Sequence, residues 1–221
     1  MATSELHGRI LVHVRRIAAA DDQNEFETQL GALASLLTHT LADYKVEGKH
    51  FVIASSAEDL DVFAAPFVTE LERRGATTSL SCFWSVQDRL LDGSAVNTLI
   101  SQYSDNHPLQ PDAVAVVSTS ILEEATVAVN LDRVASRFPS AQPYVFAPVT
   151  SSQLMERLRT EIDVRRIGLP DFRMGAEPDS DLGADYEAAL DRYVDDYLGG
   201  RHAYHWPDMI DRRPPLPKLG W

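Results

Sequence analysis

Four times along the chain a short apolar run is followed by a serine or threonine, by an acid or amide three places later, and by helical apolar spacing. Phe51, Val52, Ile53 and Ala54 lead to Ser55 and Glu58, then to Leu60, Phe63, Phe67 and Leu71, with Gly75 as the stop. Residues 79–84 lead to Ser85 and Asp88, then to a helix predicted through Leu90 and Leu99. Ala113 to Val117 lead to Ser120 and Glu123, then to Val127, Leu131 and Val134. Tyr144 to Ala147 lead to Thr150 and Gln153, then to Leu154 and Leu158. A hydroxyl with an acid or amide at the third position afterwards is the capping-box pattern, which satisfies two orphan amides at a helix start. Strands alternating with helices through short joints predict a parallel sheet covered on both faces. The runs at 51–54 and 113–117 are apolar throughout, as strands buried on both sides require. The expectation is a three-layer α/β domain with a mostly parallel sheet, carrying a C-terminal helix and a proline-rich arm.

The flanks read differently. Ile10, Val12 and Val14 alternate with polar neighbours, which predicts a half-buried strand. Phe26, Leu30, Leu33, Leu37 and Leu41 form one stripe of a helix over about 22–44, ended by a turn at 46–49. A last strand is predicted at 164–168, and 171–183 has loop composition. An amphipathic helix over 184–198 carries Tyr186, Leu190, Tyr193, Val194 and Tyr197, with Asp191, Asp195 and Asp196 on its polar side and Gly199-Gly200 as its stop. The last stretch, 201–221, holds four prolines and two of the three tryptophans. The expected organisation is an α/β domain over 1–170, a loop and packed helix over 171–200, and an extended arm over 201–221. Such an arm either wraps over its own domain or docks on a protein partner or a second copy. Trp206, Arg212, Arg213, Pro215 and Trp221 are the contacts it would use, since Trp and Arg are enriched at interface anchors.

Charge narrows the partners. The chain has 33 acidic residues against 20 lysines and arginines, a formal charge of −13. That field disfavours nucleic acid and anionic membranes. No apolar run approaches the roughly 20 residues a membrane helix needs, and residues 1–9 lack the organisation of a secretory signal. The single cysteine, Cys82 in an apolar strand, is expected to be a buried small hydrophobe and fits a reducing compartment, so a cytoplasmic location is expected.

In an open parallel sheet, ligands bind beyond the carboxyl ends of the strands. There the sequence places Ser55 and Ser56, then Ser118, Thr119 and Ser120, then residues 150–152. These hydroxyls suit a small phosphorylated or sugar ligand, or simply cap helices. Glu58, Asp59, Glu123 and Glu124 at the same rim are the candidates for acid–base catalysis. Glu58, Asp88 and Glu123 are expected over helix starts, where they would repel a phosphate. Neither a Walker loop nor G-x-G-x-x-G is present. His202, His205 and Asp208 have a possible metal-ligand spacing, but Pro207 and the glycine pair argue against a helical turn there, and no metal site is assigned.

Residues 113–134, AVAVVSTSILEEATVAVNLDRV, resemble the ribose-phosphate-binding stretch of type I phosphoribosyltransferases, with the likeness extending over about 45–170. In that family an apolar strand is followed by two acids, a small-residue turn with glycine, and a threonine before a helix. The resemblance implies that the acids hold ribose hydroxyls and the turn holds the 5-phosphate. Thr126 matches the threonine. Ser118 and Thr119 stand in place of the acids, and Glu123-Glu124 in place of the hydroxyl and glycine. The implied function is a non-catalytic or degenerate phosphoribosyltransferase-like protein that acts by binding a partner or small molecule. The alternative is a phosphoribosyltransferase-like or nucleotide-handling enzyme with an altered ribose-phosphate site. The sequence names no cofactor.

Overall fold

The computed structural model describes residues 3–89, 95–105, 110–120, 124–150, 152–164, 170–176, 180–199 and 205–213. Helices α1 (Thr3–Ala18) and α2 (Gln23–Leu37), the latter continued by a 3₁₀ turn (Thr38–Leu41), precede strand β1 (His50–Ser56). A single turn α3 (Ala57–Asp59), a π-helical turn (Leu60–Ala64) and α4 (Ala65–Arg73) lead to β2 (Thr77–Arg89) and β3 (Ala95–Ser104). Then come β4 (Ala113–Val117), α5 (Glu124–Arg137), β5 (Gln142–Val149), α6 (Ser152–Val164), β6 (Asp171–Ala176), α7 (Ser180–Tyr197) and the short α8 (Asp208–Asp211). The strands form one sheet in the order β3-β2-β1-β4-β5-β6, parallel except for β3 at its edge.

Side chains alternate across the central strands, so each strand feeds two cores. Phe51, Ile53, Ala115, Val117, Tyr144 and Phe146 join the core under α1, α2, α4 and α7. Val52, Ala54, Val114, Val116, Val145 and Ala147 join the core under α5 and α6. Burial on both faces is why these three strands read as unbroken apolar runs. Cys82 on β2 is fully buried. Gly75 ends α4 at φ 86°, a left-handed position that glycine takes without steric cost.

Four expectations are corrected. Residues 10–14 are helical, because Leu6, Ile10, Val14 and Ile17 form a buried stripe at helical spacing while Val12 is 43% exposed. No helix follows Ser85: β2 continues to Arg89 and turns back antiparallel into β3, so Leu99 and Asp88 lie on strands. Asp88 is therefore not over a helix start. Residues 171–176 are strand β6 rather than loop, paired parallel to β5. Val164 ends α6 instead of opening a strand, and 165–168 lie outside the described residues.

Over 205–213 the chain end packs back on the domain and includes the short helix α8. Trp206 stacks on Trp84 with ring centroids 5.4 Å apart. Asp61 accepts hydrogen bonds from the amides of Asp208 and Met209, each at 2.8 Å, and so caps α8. Ile210 is buried in the first core.

Candidate functional site

β1 and β4 are neighbours whose crossovers leave in opposite directions, one toward β2 and one toward β5. Such a switch point opens a crevice at the carboxyl ends of the two strands, where ligands of open α/β sheets bind. A cleft of about 380 Å³ lies there, within the size range of small-molecule sites. Its floor includes Val116 and Val117 at the end of β4, and its walls come from α5 and α7.

Asp59 holds the crest together. Only 8% exposed, it accepts from Thr119 Oγ1 at 2.7 Å and the Thr119 amide at 3.2 Å, with Ser118 Oγ at 3.0 Å and a further bond from Ser56. One carboxyl thus ties the turn after β1 to the turn after β4. Burial pushes its pKa up, against the opposing pull of those hydrogen bonds. Ser118 Oγ also lies 2.7 Å from the Ser120 carbonyl, which only accepts, so its one proton is shared between that carbonyl and Asp59. Tyr186, fully buried on α7, donates to the Thr119 carbonyl at 2.9 Å and fixes the same turn.

Ser55 and Ser56 do not cap the helical turn that follows them. Ser55 is fully buried and donates to the Val117 carbonyl at 3.0 Å, clipping β1 to β4; it is no rim ligand. Ser56 precedes α3 without a side-chain capping bond. Ser120 donates to Glu187 Oε1 at 2.8 Å. Ser56, Glu58, Asp59, Ser118, Thr119, Ser120 and Thr126 all line the cleft, so the structure brings these predicted residues together. Glu124 opens α5, and Glu123 lies outside the described residues.

The partner-facing group is spread out. Trp206 is 46% exposed beside Trp84, Arg213 lies 3.6 Å from Asp105, and Arg212 is exposed after α8. Pro215, Trp221 and His202 lie outside the described residues. His205 is 3.8 Å from Asp61.

Sequence reasoning missed the α7 and α5 walls. Glu187 and Asp191 line the cleft from α7, and Asn130 lines it from α5. Asp191 counted only as part of a solvated face. Asn130 sits at helical spacing beside Val127, Leu131 and Val134, a polar residue inside an apolar stripe, and that was the signal to follow.

No protein-family model matches the sequence, and no curated protein matches it. Among solved structures, hypoxanthine phosphoribosyltransferase from Trypanosoma cruzi with the product IMP is 12% identical over 70% of this chain and 75% of its own, at a TM-score of 0.46. A ternary substrates complex of that enzyme is 12% identical over 79% of each chain, at 0.41. The hypoxanthine phosphoribosyltransferase of Staphylococcus aureus is 11% identical over 76% of this chain and 75% of its own, at 0.37. The likeness is one of fold, a mostly parallel sheet between helical layers.

Proposed function

We propose that this chain is a degenerate phosphoribosyltransferase-like protein that binds a small molecule in the β1–β4 cleft without transferring a phosphoribosyl group. The capture of Ser118 and Thr119 by Asp59 carries this reading. Where the resembled motif keeps two acids for ribose hydroxyls, this loop presents two hydroxyls already bonded to a carboxyl from the opposite turn. Electrostatics supports it. Among the described residues the lining includes Glu58, Asp59, Glu187 and Asp191 and no lysine, arginine or histidine. A phosphate 4 Å from one ionised carboxylate is repelled by about 4 kcal/mol at an effective dielectric constant of 20. A helix start returns only about 0.3–1 kcal/mol. The repulsion wins. In this reading the setting is cytoplasmic, in keeping with a single buried cysteine, and the exposed face of Trp206 remains for a partner or second copy.

Thermal unfolding with ligands tests the reading. Phosphoribosyl pyrophosphate with magnesium is expected to leave the midpoint unchanged at millimolar concentration, with no pyrophosphate released in the presence of nucleobases. An unphosphorylated ligand near 100 times its Kd adds about 2.7 kcal/mol, a shift of a few degrees. A shift with phosphoribosyl pyrophosphate that disappears in Thr126→Val or Ser118→Ala would restore the transferase reading.

A further inference from the structure

Asn130 is 2% exposed, lines the cleft, and its Oδ1 has no hydrogen-bond partner among the described residues. A buried carbonyl oxygen without a donor costs free energy, and native proteins keep few of them. Asn130 stands on α5 with Val127 and Leu131, both buried, so an apolar residue would fill this position without loss to the core. What an asparagine provides there is an unpartnered acceptor within the cleft wall. Glu187 and Asp191 supply carboxylate oxygens on the facing helix α7, and Glu58 supplies another from the turn after β1. Leu30, Val62, Val116 and Leu190 give the same cleft apolar walls.

We infer that the cleft takes a small organic cation, an amine or amidine on an apolar body, whose N–H groups reach Asn130 Oδ1 and the carboxylates of α7. The inference rests on the small-molecule reading above and names its ligand class. A neutral sugar offers donors but nothing for the apolar walls to bury. A phosphate offers acceptors where Glu58, Glu187, Asp191 and Asn130 also present acceptor oxygens. An amidinium or ammonium group matches both the hydrogen-bond inventory and the sign of the field. Its apolar end is desolvated against leucine and valine.

Benzamidine and benzamide share a shape and differ in charge, which makes them the probe pair, with inosine as a neutral third arm. Calorimetric titration is expected to show benzamidine binding at least about tenfold more tightly than benzamide, and weakening by about tenfold in Asn130→Leu, the loss of one charge-assisted hydrogen bond. The unliganded Asn130→Leu protein is expected to melt at the same temperature or higher, which a purely structural asparagine would not allow. Asp191→Asn, at an exposed position, keeps the fold and tests the charge separately: benzamidine weakens severalfold and benzamide does not. Benzamide binding as well as benzamidine overturns the inference. Inosine binding while benzamidine fails also overturns it and leaves the small-molecule reading standing. Failure of all three at 10 mM overturns the inference and removes the support for the cleft as a binding site.

Discussion

Asp59 and Asp61 stand two residues apart on one irregular helical turn and leave it on opposite sides. Asp59 turns into the crest between β1 and β4, is 8% exposed, and burial pushes its carboxyl above the ordinary range. Asp61 turns toward the chain end with a side chain 27% exposed. Burial pushes its pKa up too, but bonds from His205 and the amides of Met209 and Asp208 outweigh it and hold the carboxyl below the ordinary value. Both acids receive several hydrogen bonds; depth separates them. The deep one is a clamp whose charged form burial disfavours, and the shallow one a helix cap whose charged form its donors favour.

The largest expected effect is at the clamp. Asp59→Ala leaves the amide and hydroxyl of Thr119 buried without an acceptor, a loss of about 3 kcal/mol in urea denaturation. A loss below about 1 kcal/mol would mean that Asp59 holds nothing. Next is pH. The raised pKa of Asp59 means its cost is absent below 3.8, the ordinary aspartate value, and grows as pH climbs from there toward the folded value. Asp61 runs the other way: its contribution is present above 3.8 and is lost as pH falls through its lowered folded value. Asp59→Asn is expected to remove a slope approaching about 1.4 kcal/mol per pH unit on the alkaline side, while Asp61→Asn flattens only the acid side. Superimposable profiles for wild type and Asp59→Asn would erase the contrast. A smaller loss, about 1.5 kcal/mol, is expected for Trp206→Ala, which removes the stacked partner of Trp84. Asp61→Ala should cost about 1 kcal/mol and speed hydrogen exchange at the amides of Asp208 and Met209, leaving β4 protected; equal acceleration in β4 would merge the two regions into one cooperative unit.

Much of the fold was legible because three central strands are buried on both faces and carry no polar interruption. The edges were not. Along residues 10–14, two-residue alternation concealed the stripe of Leu6, Ile10, Val14 and Ile17, which a longer window exposes. For β3, the hydroxyl and acid after Trp84 copied the pattern of the other units, while Asp92-Gly93, a hairpin dipeptide, went unweighed. At the site, Asp59 lies beside Ser118 and Thr119, but the bonds run between the two turns, whereas the sequence pattern pointed to bonds within each helix start. Capping rules are local, and Asp59 meets Thr119 across 60 positions of sequence. Glu187, from α7, reaches Ser120 across 67. Contacts of that separation leave no periodic trace.

Cys82 lies on β2 in register with Ser55 of β1, fully covered, and burial raises its thiol pKa. Alkylating reagents react with thiolates they can touch. This sulfur, in the core beneath the helices, offers neither until that core opens. The rate at which an alkylating agent captures it therefore counts openings of the core rather than motions of the surface, and the chain carries its own clock for them.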